Sequence, residues 1–350
     1  MIIGATQPLR AQCTDSVATT TATGEYAKVV MESLLLFVVA GFLAQLVNGS
    51  LGMGYGALST TGLLALGVPP APASAAVHYS QMGIALASGV SHWKFRNIDW
   101  RTVGILALAG AGGAVAGAYA LVALSEFSMD AAKVWIASIL LLLGLYVLIR
   151  FSFLKLGKLI TEKRPDARFF APLGLVAGFT NATGGGGWGP MATSTLLSSG
   201  RLEPRKVVGS VSAAELSVAV AGSAAFLVIL GAGGIDYRSV VGLLIGGVIA
   251  APPAAWLTQR IPPRLLGAIA GGLIVLTNVW ILLGALEASP AVAVLAYLVA
   301  VALWVAAIAA AMRSMREERK LRAAIEADIA RDRASKVAAA DDDGGHAAVR

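Results

Sequence analysis

Long apolar runs dominate the chain between Leu34 and Met312. Seven of them reach the roughly 20 residues that a helix needs to cross the hydrocarbon core of a bilayer. They lie near 72–93, 102–124, 131–149, 205–231, 238–257, 264–285 and 290–312. Lipid offers backbone groups no hydrogen-bond partners, and the runs lack the short alternating segments of a membrane β-barrel. The pattern therefore predicts an all-α polytopic membrane protein.

Two further apolar regions are interrupted by glycine-rich segments, here called the first break (residues 48–56) and the second break (residues 181–189). The first break is flanked by apolar residues 34–47 and 57–66, and the second by 172–180 and 190–199. Each glycine in a helix interior costs about 1 kcal/mol relative to alanine, so the four consecutive glycines at 184–187 interrupt a helix. Because each apolar piece is shorter than a span, each region is either one broken crossing or a re-entrant hairpin.

The two breaks belong to an internal repeat. Asn48 matches Asn181 at an offset of 133 positions, and in the same register Tyr55 matches Trp188. The sequence Ile-Asp-aromatic-Arg at 98–101 returns at 235–238. Composition alone does not produce these matches, so we expect a duplicated unit.

The basic residues of the loops predict the orientation of the repeats. Cytoplasmic loops are enriched in Lys and Arg, and the linker between the copies and the start of the tail are both basic. With re-entrant hairpins, every basic loop falls on one side of the membrane. Three spans then follow each hairpin, and this odd number gives the two copies inverted topology, an architecture typical of secondary transporters.

The predicted organisation thus has six parts, in a bacterial inner (plasma) membrane with a cytoplasmic C-terminus. They are a polar N-terminal extension (1–30), a first transmembrane repeat (31–150), a basic cytoplasmic linker (151–169), a second repeat (170–286), an extra transmembrane helix (287–312) and a cytoplasmic tail (313–350), partly helical and then disordered.

The breaks favour binding of a small anion. A helix that begins inside the membrane presents free N–H groups and the positive end of its dipole. Candidate substrate-binding residues are those that supply donors, allow close backbone approach or wall the cavity: Asn48, Ser50, Tyr55, Gly56, Asn181, Thr183, Gly185, Gly187, Trp188, Gly189 and Pro190. Close helix packing by individual glycines is the alternative, and it stays open.

Three further polar residues lie within predicted spans. Glu215 is the one acidic residue deep in an apolar run, and such residues commonly mark proton or ion pathways. His78 and Gln81 fall near the equivalent region of the first copy. We expect these three to couple protons or contact substrate, with helix-tying and packing roles as the alternatives.

Other classes of function are disfavoured. The net charge of +7 resides in loops and tail rather than in a patch with aromatic residues, which argues against nucleic acid. One cysteine, Cys13, and three scattered histidines predict no internal disulfide, metal centre or other cofactor. No Walker motif and no catalytic pair of an intramembrane protease is present, so we expect no enzyme.

The glycine-rich segments at 52–56 and 184–190, with the stretch at 209–215, resemble the TauE/SafE family of anion permeases over residues 34–285. The resemblance implies transport of sulfite, sulfoacetate or a related organosulfur anion, usually as export and in some members as uptake. It points most directly to the second break, where it covers Gly185, Gly187, Trp188, Gly189 and Pro190, and to Glu215; the first copy departs from the usual glycine run at 48–53. The alternatives are transport of an unrelated small anion, and an accessory protein whose tail at 313–339 docks a partner or a second copy in a homo-oligomer.

Overall fold

The structure, a computed structural model, describes residues 31–153, 166–199 and 201–347. The predicted 1–30 extension and most of the predicted linker lie outside the described residues. Within the described ranges every regular element is helical. The helices are α1 (Met31–Leu51), α2 (Tyr55–Ala65), α3 (Pro70–Lys94), α4 (Trp100–Phe127), α5 (Met129–Phe153), α6 (Ala167–Gly184), α7 (Ser194–Ser199), α8 (Pro204–Leu230), α9 (Tyr237–Arg260), α10 (Pro263–Ala285) and α11 (Pro290–Ala347). A π-helical turn, Gly189–Thr193, leads into α7.

Seven of the described helices are long and apolar enough to cross a membrane: α1, α4, α5, α8, the Tyr237–Ala254 part of α9, α10 and α11. The number agrees with the prediction, but α1 replaces α3. Helix α1 has 21 residues, because it runs beyond the predicted 34–47 piece at both ends. Helix α3 has 25 residues, but it carries Ser74, His78 and Gln81. These side chains are buried inside the protein, where helix–helix contacts replace the need for an apolar surface.

The pieces that follow the breaks are short. Helix α2 has 11 residues. The π-helical turn and α7 together cover the matching residues 189–199 of the second copy. At a rise of 1.5 Å per residue, 11 residues extend about 16 Å, which is roughly half of the hydrocarbon core. Neither piece is long enough to cross alone.

Equivalent helices of the two copies pack antiparallel at the centre of the fold. Along α3 and α8, His78 lies against Gly222 and Gly89 lies against Ala213, so the chain numbers rise in opposite directions. Helices α5 and α10 pair in the same way, with Gly144 against Ile274 and Gly267 against Phe151.

The helix that precedes each break contacts the other copy in the same way. A Cβ added to Gly41 of α1 would lie 2.5 Å from the Leu243 carbonyl oxygen of α9. A Cβ added to Gly174 of α6 would lie 3.0 Å from the Leu106 carbonyl oxygen of α4. Gly174 is the repeat equivalent of Gly41, and Leu243 is the equivalent of Leu106. The duplicated sequences therefore occupy matching environments, and their small residues allow the helices to approach closely.

The repeated Ile-Asp-aromatic-Arg sequence caps helices. Oδ1 of Asp99 accepts from the backbone N–H groups of Arg101 (3.0 Å) and Thr102 (3.3 Å) at the start of α4. Oδ1 of Asp236 accepts from the N–H of Arg238 (3.2 Å) at the start of α9. An aspartate at this position satisfies donors that have no partner within the helix, so the motif has a structural role.

Helix α11 joins the predicted extra span and tail. It runs unbroken for 58 residues, so the predicted boundary at 312 is not a helix end, and the helix extends past 339 to Ala347. In its membrane part, Nε1 of Trp304 donates to the Ala268 carbonyl at 3.1 Å. Farther along, the buried guanidinium of Arg264 forms an ion pair with Glu318 at 2.6 Å and donates to Ser314. The beginning of the tail is therefore fixed to the start of α10.

Candidate functional site

The two breaks pack directly against each other. Oγ1 of Thr60 in α2 donates to the Gly185 carbonyl at 3.2 Å. A Cβ added to Gly186 would overlap the backbone of Ala57, and one added to Gly189 would lie 3.0 Å from Cβ of Met53. The second break thus lies against the first turn of α2, and this approach requires glycine.

A narrow cleft opens beside this contact, with a cavity volume of about 10 Å³, which is roughly the space of one water molecule. Eight residues predicted from the sequence line it: Asn48, Tyr55, Gly56, Gln81, Asn181, Gly189, Pro190 and Glu215. Seven lining residues were not predicted: Gly52, Met53, Gly54, Gly186, Thr193, Val211 and Ser212. Most of these had a usable signal: Gly52, Met53, Gly54 and Gly186 lie in the glycine-rich segments, Thr193 repeats Thr60, and Ser212 lies one helical turn before Glu215.

The start of α2 faces the cleft with its backbone donors. The residue before the helix, Gly54, has φ 107°, and no side chain caps the helix. The N–H of Leu58 bonds to the Gly54 carbonyl, so the N–H groups of the preceding turn have no acceptor within the helix. Tyr55 and Gly56, which belong to this turn, line the cleft. The positive end of the α2 dipole therefore points at the cleft.

Asn181 is the centre of a buried hydrogen-bond network. Its side chain is 1% exposed. Nδ2 lies 3.2 Å from Nε2 of His78 and donates to Oε1 of Gln81 at 3.4 Å, while Oδ1 accepts from the N–H of Trp188 at 3.3 Å. These partners occupy both amide hydrogens and the oxygen. Asn181 thus borders the cleft with both amide hydrogens already used. The sequence had predicted it as a donor to the anion.

His78 lies behind the cleft rather than in its wall. Its side chain is fully buried, Nδ1 is 2.9 Å from the Ser74 carbonyl, and the ring packs edge-on against Phe226 at a centroid distance of 5.6 Å. Its link to the cleft runs through Asn181.

Five other predicted residues also lie outside the cleft lining: Ser50, Thr183, Gly185, Gly187 and Trp188. The hydroxyl of Ser50 donates to the carbonyls of Leu46 (2.7 Å) and Ala254 (3.1 Å), and that of Thr183 donates to Phe179 (2.9 Å).

Trp188 is a core residue. It is fully buried, and its Nε1 donates to the Val211 carbonyl at 3.1 Å. A Cβ added to Gly110 of α4 would lie 2.6 Å from the indole ring, and one added to Gly187 would overlap Thr180. These contacts stabilise the second break instead of exposing it.

Gln81 and Glu215 occupy equivalent places in α3 and α8. Each lies eleven positions after the proline that begins its helix, and both line the cleft near mid-helix. In the part of the chain that the structure describes, no protein group bonds to the Glu215 carboxyl, which is half-buried. No Lys or Arg is among the cleft residues. The described residues also contain no group of three His, Cys, Asp or Glu side chains that could hold a metal ion.

A family model, "Sulfite exporter TauE/SafE", matches residues 37–281, which is more than half of the chain. The chain belongs to the TauE/SafE family. The resemblance inferred from the glycine-rich motifs is thereby confirmed, over nearly the residues predicted. The "Probable membrane transporter protein YtnM" of Bacillus subtilis (strain 168) is 47% identical over 279 residues, which cover 79% of this chain and 92% of that protein. No solved structure gives a significant match. The TauE/SafE match includes both breaks and all cleft residues, whereas α11 lies beyond it.

Proposed function

We propose that this protein is a secondary transporter of a small sulfur-containing anion such as sulfite or sulfoacetate. The observation that carries the proposal is the cleft itself, which joins the uncapped start of α2 to an unpartnered carboxyl. The TauE/SafE match and the transporter name of the Bacillus relative support the same function.

Backbone and amide donors would hold the anion. Tyr55 and Gly56, in the uncapped first turn of α2, line the cleft together with Asn48 and Gln81, which carry side-chain amides. Preorganised neutral donors at a helix N-terminus bind oxyanions without a cation. This chemistry suits the sulfonate or sulfite group, whose oxygens accept several hydrogen bonds.

Glu215 supplies the proposed coupling to protons. Its carboxylate would repel an anion in the same narrow cleft, because the low-dielectric surroundings screen like charges weakly. Protonation of Glu215 removes this repulsion and adds a donor. Anion and proton therefore occupy the cleft together, and the transporter moves both in one direction.

An inverted-repeat arrangement is part of the proposal. The antiparallel packing of α3 with α8 and of α5 with α10 supports it. Basic loops also meet on one face: the N–H of Asp99, near Arg96 and Arg101, donates to Ser210, near Arg205, at 2.8 Å. By the positive-inside rule that face, with the tail, is cytoplasmic in a bacterial inner membrane, and the breaks are re-entrant hairpins that meet near the midplane.

Transport by purified protein in proteoliposomes tests the function. Sulfoacetate is the preferred probe, because its sulfonate stays ionised throughout the neutral pH range. We expect an imposed proton gradient to drive its accumulation, and Glu215→Gln to reduce that accumulation at least about tenfold. Glu126→Gln, a change at the exposed end of α4, should leave it intact.

Two results would reject parts of this proposal. Equal proton-driven accumulation by wild type and Glu215→Gln would exclude coupling through Glu215. If simple carboxylates stabilise the protein against heat and sulfite, thiosulfate, sulfoacetate and taurine do not, the substrate is an unrelated anion and not a sulfur-containing one.

A further inference from the structure

We infer that His78 is a positioning residue that, through Asn181, holds the Gln81 side chain with its NH2 group toward the cleft. The consequence for transport rests on the proposed function, because it assumes that an anion binds at the start of α2. The arrangement of the three side chains stands on the geometry alone.

The hydrogen-bond partners of His78 define its tautomer. Nδ1 lies 2.9 Å from the Ser74 carbonyl, which can only accept, so Nδ1 carries a hydrogen. Nε2 lies 3.2 Å from the Asn181 amide. In a neutral imidazole with its hydrogen on Nδ1, Nε2 is an acceptor, and the group that faces it must donate.

The orientation of Asn181 then follows. Its NH2 group faces His78, so its oxygen faces the N–H of Trp188 at 3.3 Å. If the amide were rotated by 180°, its oxygen would oppose the lone pair of Nε2 and its NH2 would oppose the N–H of Trp188. Both contacts would be repulsive between residues that are at most 1% exposed, so only one orientation satisfies all groups.

The orientation of Asn181 in turn determines that of the Gln81 side chain. The second hydrogen of its NH2 group points at Oε1 of Gln81, 3.4 Å away, so the Gln81 oxygen is used inside the protein. Nε2 of Gln81 is left toward Gly56, where an added Cβ would lie 2.8 Å from it. Among the described residues, Nε2 has no protein acceptor. The two hydrogens on Nε2 of Gln81 therefore face the cleft at the start of α2, although His78 itself does not line the cleft.

The tautomer can be measured without any transport assay. The chain has three histidines, so His92→Gln with His346→Gln leaves His78 as the single imidazole for 15N NMR of the full-length protein in lipid. We expect a neutral ring with its hydrogen on Nδ1. A hydrogen on Nε2, or on both nitrogens, would overturn the inference.

A double-mutant cycle tests the effect on anion recognition. His78→Leu removes the acceptor, and we expect the KM for sulfoacetate uptake to rise about tenfold with a smaller change in maximal rate. His78→Gln keeps an acceptor at similar reach and should restore most of the affinity. In a Gln81→Met background, His78→Leu should cause no further change in KM, because the residue through which it acts is gone.

A purely structural role for His78 predicts a different result. In that case, His78→Leu would lower thermal stability and uptake to the same extent with or without Gln81. If His78→Leu also raises KM equally in the wild type and in the Gln81→Met background, the positioning role is refuted. Absence of both sulfite and sulfoacetate flux in the wild type would refute the proposed function, and the NMR measurement would still decide the arrangement of His78.

Discussion

The two breaks have matching sequences, yet their asparagines make different contacts in the folded protein. In the second break, Asn181 is buried and bonded to two side chains and to the N–H of Trp188. In the first break, Asn48 is half-buried and bonds only within its own helix, donating to Gln45 at 3.2 Å. Both breaks line the cleft, but the asparagine of the second is bonded into the core, whereas that of the first is bonded only within α1.

The aromatic residues after the breaks, by contrast, occupy matching places. Trp188 is fully buried between α4 and α8. Tyr55, its equivalent, is 2% exposed, and its hydroxyl lies 3.0 Å from Oγ of Ser80 in α3 and 3.4 Å from the Leu243 carbonyl oxygen of α9. Helices α3 and α9 are the repeat equivalents of α8 and α4, so the two breaks differ at their asparagines and not in where their aromatic rings pack.

The largest test of this contrast compares two equivalent glycines. Gly185 has φ 68° and Gly52 has φ 70°, so alanine is strained equally at both positions. A Cβ at Gly185 would lie 2.7 Å from Cβ of Thr60 and would overlap its hydroxyl, whereas at Gly52 the nearest atom is 3.7 Å away. We expect Gly52→Ala to cost about 1–2 kcal/mol and Gly185→Ala more than about 4 kcal/mol.

The two variants are matched in residue type and backbone strain, so the difference between their stabilities reports on the contact between the breaks. Thermal unfolding of purified protein in detergent, followed by size-exclusion chromatography, measures this difference. Equal midpoints for the two variants would show that the second break does not rest on α2.

The two asparagines provide an intermediate test. Asn181→Ala leaves His78, Gln81 and the N–H of Trp188 without their partner, and we expect a loss of about 2–4 kcal/mol in stability. Asn48→Ala removes one contact within a helix and should cost less than about 1 kcal/mol. Its main effect should be a higher KM for the anion, because Asn48 lines the cleft. Thermal unfolding and uptake measure the two effects. If Asn48→Ala mainly lowers stability and Asn181→Ala mainly raises KM, the roles assigned to the two asparagines are wrong.

Much of the fold was accessible from the sequence. Span length in lipid is fixed by helical rise, and glycine runs disfavour helices, so the helical class, both breaks and the family could be inferred from the sequence alone. The tertiary contacts of the helices could not be inferred. Helix α3 carries polar residues that are buried in protein, and α11 continues without a break beyond residue 312, where Glu318 forms an ion pair with Arg264.

The site was accessible in outline only. The repeat identified the asparagines, the aromatic positions and the pair Gln81 and Glu215, and eight predicted residues do line the cleft. The sequence could not reveal that the donors of Asn181 are already occupied, nor that Trp188 faces the core. Which way a side chain points depends on helix packing between the copies, and this information is not present in local patterns.

The smallest expected effect concerns the hydroxyls that the sequence proposed as anion donors. Ser50 and Thr183 both donate to backbone carbonyls, and neither lines the cleft. Ser50→Ala should cost about 1 kcal/mol of stability, since its hydroxyl bridges α1 to α9, and Thr183→Val less, since its bond lies within α6. Neither change should alter the KM for sulfoacetate. A KM raised severalfold by Thr183→Val alone would mean that the second break also contacts the anion, because this variant keeps the side-chain shape and loses only the donor.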